Sequence, residues 1–511
     1  MTNKLIKTFL LIITIFFVLL VYLSFYGIET KKLNNKIKNE ISNINNDLDL
    51  EIKTVRILLS PFDFKVNMKT LGPNIRINNK QIELENIETK ISLLSFIKNQ
   101  FSINNIKIST KLVKIKDLIS LSRSFDSSAE LIILDKFTKG GNLMAEINLN
   151  FDELGKIKND YTINGFLRNL KFSLLNIHNL ENLDLSFKIQ NNRYQMEDIK
   201  MSLNKVNFLS EKITLEKIDK EFLVTGKIES DKKELSKSDI LNFGIDFVKD
   251  LDLEKITFSS KNTFNFKIDK KFRFKDINFI SDLNIDKLKY TSESSLEVFF
   301  PEFKNEIYLR DHKIKINQNQ KQLEISGKGK LFFQDDSDDI EYNIIKKKNI
   351  YNFETDFNIL KNQFLIDHLK YTKKKNSKAI LKIKGSYIKN NQMRFNSISF
   401  KEDQNEFLIA DLSLNNEFKI SKVGSIKFKF LNKDKINNKI ELINRNNSYT
   451  LKGSSLDASK IIDKIIDTDE KSELSKILNI KSKKINLDIK KVYLDNENFV
   501  NKLKGEIDLK N

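Results

Sequence analysis

The chain contains no cysteine and no tryptophan, and it has only 3 prolines and 14 glycines among its 511 residues. The absence of cysteine excludes disulfides, thiolate metal sites, iron–sulfur clusters and cysteine nucleophiles, but it leaves the cellular compartment open. The scarcity of proline and glycine argues against modules joined by flexible or proline-rich linkers. With 40% hydrophobic and 31% charged residues, the chain is nevertheless expected to fold.

The net charge of +19 comes from 88 Lys and Arg against 69 Asp and Glu. An excess of this kind can indicate nucleic acid or an anionic membrane as the partner. Here, however, lysines and acidic residues alternate along the chain instead of gathering in one tract. We therefore interpret the charge as solvated surface and expect no nucleic-acid partner.

The sequence offers little for catalysis. It has no phosphate-binding loop, no dinucleotide-binding glycine motif, no nucleophile elbow and no HExxH pattern. His178, His312 and His368 lie far apart and show no metal-ligand spacing. The acidic run 335–339 lacks the glycine and distal glutamate of an EF-hand loop, which favours a solvated turn. We predict no catalytic residue, no metal site and no cofactor, and a protein that is not an enzyme.

The strongest local signal is an apolar run from Phe9 to Tyr26, preceded by Lys4 and Lys7 and long enough to cross a bilayer. An uncleaved anchor is favoured over a cleaved signal peptide, because residues 24–29 contain no small-x-small cleavage site. Lysines are more numerous after the run than before it, yet long domains translocate largely regardless of charge, so we place the body outside the cytoplasm. The predicted anchor residues are Phe9, Leu10, Leu11, Ile12, Ile13, Ile15, Phe16, Phe17, Val18, Leu19, Leu20 and Val21.

Beyond the anchor, the spacing of the apolar residues is first helical and then changes to every second residue. Residues 29–48 carry apolar side chains spaced by three and four, which predicts an amphipathic stalk helix. From residue 50 onward, runs such as 143–149, 264–268, 381–384, 426–430 and 485–489 alternate apolar and polar residues, which predicts half-buried strands. Only 234–250 and 459–478 favour further helices. The remaining length predicts on the order of 30 to 38 strands.

Asparagine and glycine punctuate these strands. Asparagine tolerates the left-handed conformation of tight hairpins, so turns are predicted at 78–80, 191–193, 390–392, 437–439 and 446–447. Glycines inside strand-like runs indicate either bends and bulges where a side chain would not fit or a repeating hairpin unit. These glycines are Gly165, Gly226, Gly327, Gly385, Gly453 and Gly505.

Several segments resemble the AsmA-like family, and most of all its YhdP-like members. Residues 55–62, 71–75, 87–95 and 101–108 resemble the N-terminal unit of that family, in which a membrane anchor leads into strands. Residues 147–226 resemble the central region, and residues 451–459 resemble the start of the C-terminal unit. The resemblance suggests this division: anchor 1–28, stalk helix 29–48, AsmA-like N-terminal β unit 49–140, central β-groove region 141–450, and 451–511 as the start of a C-terminal unit, either truncated or continued by a partner.

The resemblance implies a mainly β protein of the inner membrane of a Gram-negative bacterium, single-pass, with its body in the periplasm. An elongated, twisted antiparallel β-sheet with few short helices would curl into an apolar groove that conducts phospholipid acyl chains toward the outer membrane. The partners would then be phospholipid acyl chains and the inner membrane. The predicted groove-lining residues are Phe264, Phe266, Ile268, Phe428 and Phe430.

Three alternatives remain open at the level of sequence. The same side chains can close an ordinary β core. The protein can be a non-catalytic scaffold of outer-membrane biogenesis that acts through protein partners, or a membrane-tethered enzyme on cell-wall glycans, which would need a convergent carboxylate pair. Residues 503–509 are expected to form the last strand and an open sheet edge, which implies either an envelope protein partner that continues the sheet or a truncated product.

Overall fold

The computed structural model describes residues 2–509, except residues 36, 39–47, 78–79, 95–104, 126–128, 153–157, 175–177, 244–248, 250–251, 270–272, 293–294, 390, 446–447, 467–482 and 496. The protein is mainly β, with 68% of its residues in strands and few helices. The described residues form 31 strands, within the predicted range. Two compact units are present: Met1–Ser230 with Asn265–Lys275, and Asp231–Phe264 with Asp276–Asn511.

The first unit begins with one long helix and continues as antiparallel strands. The sheet order is β1-β3-β4-β6-β7-β9-β10-β11-β12-β13, and β2 and β5 pair beside β6. The elements are α1 Thr2–Phe25, β1 Ile28–Thr30, β2 Leu48–Glu51, β3 Thr54–Ser60, β4 Lys65–Leu71, β5 Asn74–Ile77, β6 Lys80–Ser92, β7 Asn105–Thr110, β8 Val113–Lys114, α2 Ile115–Phe125, α3 Ala129–Phe137, β9 Thr138–Asn150, β10 Thr162–Leu174, β11 His178–Gln190, β12 Arg193–Leu203 and β13 Val206–Ile218.

Three strands belong partly to each unit: β14 Glu221–Ser236, β15 Asp252–Asp269 and β16 Phe274–Thr291. The rest of the second unit is one succession of neighbouring strands. Its elements are α4 Lys237–Leu241, β17 Glu306–Gln318, β18 Leu323–Phe332, β19 Ser337–Lys347, β20 Ile350–Ile359, β21 Phe364–Ile366, β22 Tyr371–Lys373, β23 Ala379–Ile388, β24 Gln392–Glu402, β25 Asn405–Leu414, β26 Ile420–Lys422, β27 Ser425–Leu431, β28 Asn437–Arg445, β29 Ser448–Asp457, α5 Ser459–Ile466, β30 Lys483–Tyr493 and β31 Phe499–Leu509.

Helix α1 is long and apolar enough to cross a membrane over residues Lys4–Phe25, and none of that segment is buried by the rest of the protein. The stalk helix expected from residue 29 does not begin there, because Ile28–Thr30 form a strand that pairs with β3. Leu33 and Ile37 pack against a core formed by Val55, Val66, Met68 and Ile91. Residues 39–47, which include the rest of the predicted stalk, lie outside the described residues.

The sheet differs from the prediction in two respects. It is mixed, because β29 and β30 pair in parallel. Parallel neighbours need a crossover connection, and α5 lies in the chain between these two strands. The predicted curling into a groove is not found, since the sheet is neither curled nor closed. In the second unit, the pairing runs in sequence order from β17 to β20, continues from β20 to β23, β24 and β25, and passes from β25 to β27 and on to β31. Strands β21 and β22 form a separate two-stranded sheet, β26 pairs with β25, and β31 pairs with β30 alone among the described strands.

The predicted domain divisions and helices agree only in part with the contacts. The divisions at residues 140 and 450 fall inside strands β9 and β29. In the predicted helix 234–250, the described residues contain only α4. In the predicted helix 459–478, α5 covers Ser459–Ile466, and residues 467–482 lie outside the described part of the chain.

The asparagine turns can be compared with the structure at two of the five sites. At 191–192 both asparagines have positive φ, as predicted. At 437–439 the prediction is wrong, because β28 begins there and the turn lies at Lys435 instead. The other three sites include residues outside the described part of the chain.

Candidate functional site: an apolar face on the second unit

A continuous apolar face crosses the second unit. Apolar and polar residues alternate along its strands, and the strand registers place apolar residues opposite one another. In a strand, successive side chains point to opposite faces of the sheet. Cross-strand partners on one face form two adjacent rows. We call them the first row (Ile340, Phe357, Leu381, Phe400, Phe407, Phe428 and Ile440) and the second row (Tyr342, Thr355, Ile383, Ile398, Ile409, Ile426, Leu442, Leu451 and Leu487).

From Ile340 to Phe428 the first row is covered by two segments that lie on the sheet, whereas Ile440 packs against a separate core that includes Ile462 of α5. One segment precedes β17 and contributes Phe300, and the other contains β21 and β22. Phe364 stacks on Phe400 with ring centroids 4.7 Å apart, and Tyr371 contacts Phe407 at the same centroid distance. Together these side chains form a filled aromatic core, as in an ordinary β domain.

The second row is not part of this aromatic core. Its members from Ile383 to Leu487 are half-buried, and part of each side chain remains accessible. Leu451 also packs against a small core of Leu456, Ala458, Ile489 and Val492, to which α5 contributes Ile462. At about 4.8 Å per strand, the row extends about 40 Å from β19 to β30. The described part of the second unit thus presents an apolar strip beside a closed core.

The opposite face of the same strands is polar. Lys382 faces Asp356 at 2.6 Å, Arg394 faces Asp411 at 2.8 Å, and Lys484 faces Glu506 at 2.8 Å. Exposed ion pairs of this kind contribute little to stability. One face of the sheet therefore presents charged side chains to water, while the second row lies on the other face.

Glycines within the strands accommodate large side chains from the neighbouring strand. Gly327 is paired with Tyr342, and Gly385 is paired with Phe353. In both cases a Cβ atom on the glycine would clash with the aromatic ring. Gly165 of the first unit has the same relation to Phe187. The glycines therefore provide the space in which an aromatic ring can lie across the sheet, a more specific role than the predicted bends.

A buried polar pair lies at the β17 side of the rows. His312 is 1% exposed, and its Nε2 lies 3.2 Å from the hydroxyl oxygen of Tyr342. The two rings stack with centroids 5.6 Å apart. Burial lowers the pKa of His312 and raises that of Tyr342, so both side chains are neutral near pH 7. Nδ1 of His312 is buried without a hydrogen-bond partner.

Asp338 holds the covering segment in place. It is 3% exposed, and its carboxylate accepts hydrogen bonds from the backbone N–H groups of Leu360, Lys361 and Asn362 at 2.8 to 3.1 Å. The solvated acidic turn predicted from the sequence for 335–339 is therefore wrong for Asp338. The apolar residues that flank the acidic run do not distinguish a buried anchor from a surface turn.

Lys373 completes this anchor from the other side of the covering segment. Its Nζ donates to the carbonyl oxygens of Leu360 and Asn362, and the side chain is fully buried. Burial lowers the pKa of Lys373. Tyr371 donates a hydrogen bond to Glu402, and burial together with this bond raises the pKa of the tyrosine. These polar contacts fix the segment that covers the first row.

The structure separates the predicted groove-lining residues into two groups. Phe430 is 2% exposed and packs against Tyr371 and Phe407, and Phe428 packs against the same core. Phe430 therefore fills a closed core rather than lining an open trough. Phe264, Phe266 and Ile268 are half-buried in β15, and the ring of Phe266 contacts that of Phe274 at 5.3 Å. Sequence reasoning did not single out the second row, although the alternation in 381–384 and 426–430 includes two of its members.

The anchor residues and the histidines are also placed. Phe9 to Val21 lie in α1, and nearly all of their side chains are exposed. His178 begins β11, His312 lies in β17, and His368 lies in a short turn between β21 and β22. Among the described residues, no group of three His, Cys, Asp or Glu side chains is placed to hold a metal ion.

No known family model, curated protein or solved structure matches this chain. The apolar face of the second unit and helix α1 are the features of this chain that bear on its function.

Proposed function

We propose that this chain is a single-pass membrane protein that carries phospholipid acyl chains along the second row. The observation on which the proposal rests is the pairing of half-buried aliphatic side chains from Ile383 to Leu487 on one face of the sheet, with charged pairs on the other face. An acyl chain on this strip exchanges water for apolar contact, at about 0.8 kcal/mol for each buried CH₂ group. Movement along the strip needs no catalytic residue, because neighbouring positions offer the same contact.

The proposal includes the location suggested by the resemblance to the AsmA-like family. Helix α1 anchors the chain in the inner membrane of a Gram-negative bacterium, and the body lies in the periplasm. Phospholipid then moves toward the outer membrane while its headgroup stays in water beside the strip. An open strip replaces the curled groove, and the first row serves as the structural core beside it.

Two adjacent residues of β24 provide a matched test. Ile398 belongs to the second row, whereas Ser399 points to the polar face, where its cross-strand neighbour is Lys382. Ile398→Asp places a charge on the strip, which costs free energy when acyl chains cover it. Ser399→Asp introduces the same carboxylate beside a lysine on the other face.

The readouts are phospholipid bound after native purification, measured by mass spectrometry, and transfer of labelled phospholipid between donor and acceptor vesicles by the full chain. We expect Ile398→Asp to lose bound lipid and most transfer, and Ser399→Asp to behave as the wild type. Circular dichroism checks that both variants stay folded. Equal transfer by both folded variants, or a wild-type protein that carries no lipid, would refute the proposal.

One observation favours a second candidate, a non-catalytic envelope scaffold that acts through a protein partner. Strand β31 has backbone hydrogen-bonding groups on the side away from β30, and no other described strand pairs there. A partner that adds a strand to this edge would continue the sheet. Crosslinking in cells from a photoreactive residue at position 504, in place of Lys504, tests this candidate. A specific protein adduct, together with no phospholipid transfer by the wild-type chain, supports the scaffold.

A further inference from the structure

The turn between β3 and β4 exposes two aromatic side chains at its tip. Phe62 is 97% exposed and Phe64 is 73% exposed. Leu94 is 62% exposed and lies beside them, since the backbone N–H of Leu93 donates to the carbonyl oxygen of Phe64 at 2.8 Å. Asp63 and Lys65 are exposed next to these apolar side chains. Two large apolar side chains in the turn and a third beside it form a patch that water solvates poorly.

The position of the turn follows from the pairing of β1 with β3. Ile28 pairs with Ile57 and Thr30 with Val55, so β3 continues past the start of β1 on the side from which α1 enters. Ser60 lies about 10 Å beyond Ile57 at the strand rise. Helix α1 packs against β3, and Gly27 fits against the carbonyl group of Ile57 where a Cβ atom would clash. The Phe62 turn therefore projects alongside the last turns of α1.

The end of α1 has the side chains of a membrane–water interface. Tyr22 and Tyr26 stack with ring centroids 5.5 Å apart at the end of the apolar segment. Tyrosine is enriched where a transmembrane helix leaves the hydrocarbon region. A turn that projects alongside these residues lies at the level of the lipid headgroups.

We infer that the turn Pro61–Phe64, together with Leu94, inserts its apolar side chains into the surface of the bilayer that α1 spans. The inference rests on the membrane anchorage proposed above and is independent of lipid transport. The turn gives the first unit a second contact with the membrane, which fixes the direction in which the sheet leaves the bilayer. A single helix alone leaves rotation about its axis free.

The absence of native cysteine makes a site-specific fluorescence test direct. The full chain is reconstituted in phosphatidylcholine–phosphatidylglycerol vesicles that contain lipids with a quencher at a shallow or a deep acyl position. A polarity-sensitive label is attached to Asp63→Cys, which keeps both phenylalanines. The control site is Lys53→Cys, an exposed position just before the opposite end of β3, and Phe17→Cys reports on α1.

We expect the label at residue 63 to lose more than about half its fluorescence to the shallow quencher, the label at residue 17 to be quenched by the deep one, and the label at residue 53 to remain bright. Phe62→Ser with Phe64→Asn in the Asp63→Cys chain should restore the fluorescence, and asparagine suits the positive φ of 51° at position 64.

The outcomes separate the inference from the proposed anchorage. Quenching at residue 17 with a bright label at residue 63 overturns the inference and leaves the anchor in place. Bright labels at both positions show that α1 does not enter the bilayer, and they overturn both. Unchanged quenching after replacement of the two phenylalanines also overturns the inference, because the contact would then not depend on them.

Discussion

Nε2 of His312 and the hydroxyl oxygen of Tyr342 lie 3.2 Å apart across strand β18, in which Gly329 lies against His312 and Gly327 lies against Tyr342. Both residues are at the junction between the closed core and the accessible second row. Because burial lowers the pKa of His312, its folded-state pKa lies below the value of about 6.5 expected in the unfolded chain.

This shift predicts a loss of stability in mild acid. As the pH falls below about 6.5, the unfolded chain binds a proton on this histidine more readily than the folded chain, so the free energy of unfolding decreases. We expect the urea midpoint to fall between pH 7 and pH 5. The double variant His312→Phe with Tyr342→Phe removes both polar partners and should show a smaller decrease. An equal decrease in the two proteins would assign the acid sensitivity to other groups.

Gly327 and Gly505 provide a matched pair for the glycine–aromatic contact. A Cβ atom at Gly327 would clash with the ring of Tyr342, whereas one at Gly505 would meet nothing within 4 Å. Gly327→Val should therefore destabilise the second unit by about 1–3 kcal/mol through overpacking. Gly505→Val should be close to neutral, since valine suits a strand. Thermal unfolding followed by circular dichroism measures both, and an undisturbed Gly327→Val protein would contradict the predicted contact.

The adjacent residues Phe430 and Leu431 test whether the aromatic core is closed. Phe430 is 2% exposed and Leu431 is 53% exposed on the other face. Phe430→Ala should lower the free energy of unfolding by about 3–5 kcal/mol, and Leu431→Ala by less than about 1 kcal/mol. Denaturant titration gives both values. Similar small losses would mean that Phe430 faces an open surface, as the sequence analysis proposed.

Asp338 should control the order of the segment that covers the first row. Asp338→Ala leaves the buried backbone N–H of Asn362 without its acceptor, which costs about 1–3 kcal/mol, and it also removes the acceptor of the Leu360 N–H and a carboxylate whose charge acts on Lys373. We expect faster hydrogen exchange across residues 360–373 while β27 and β28 stay protected. Asp338→Asn keeps one acceptor oxygen and should lie between the variant and the wild type. Unchanged exchange in Asp338→Ala would contradict the role of Asp338 as an anchor.

The strands were predictable from sequence because their signal is local. Residues 143–149, 264–268 and 426–430 alternate in sequence and lie in β9, β15 and β27. Helix α2 was not predicted, although Ile115, Leu118 and Ile119 have helical spacing. The apolar and polar residues of the neighbouring segments alternate as in strands, and this pattern led to the prediction for the whole region.

The alternation of apolar and polar residues does not predict which apolar side chains of the sheet are covered by other segments. Phe428 and Ile426 have the same pattern, yet Phe428 packs against the aromatic core and Ile426 lies in the second row. The difference arises from Tyr371, which lies more than fifty residues earlier in the sequence and is brought over the sheet by the Asp338 anchor. The parallel pairing of β29 with β30 likewise depends on a long connection that carries no strand signal.

The register of β31 has a consequence for how copies of this protein would meet on a membrane under the proposed anchorage. Ile489 pairs with Leu503 and Lys491 with Asn501, whereas Lys490 and Lys502 between them are not paired, and the positive φ of Lys502, 54°, interrupts the regular ladder without adding a residue. An incoming strand can follow the regular ladder only as far as this interruption unless it carries a matching one. Under the proposed anchorage, confinement to the membrane surface raises the rate at which identical chains collide, and the interrupted edge with the exposed Lys502 and Lys504 opposes the stacking of one chain onto the next.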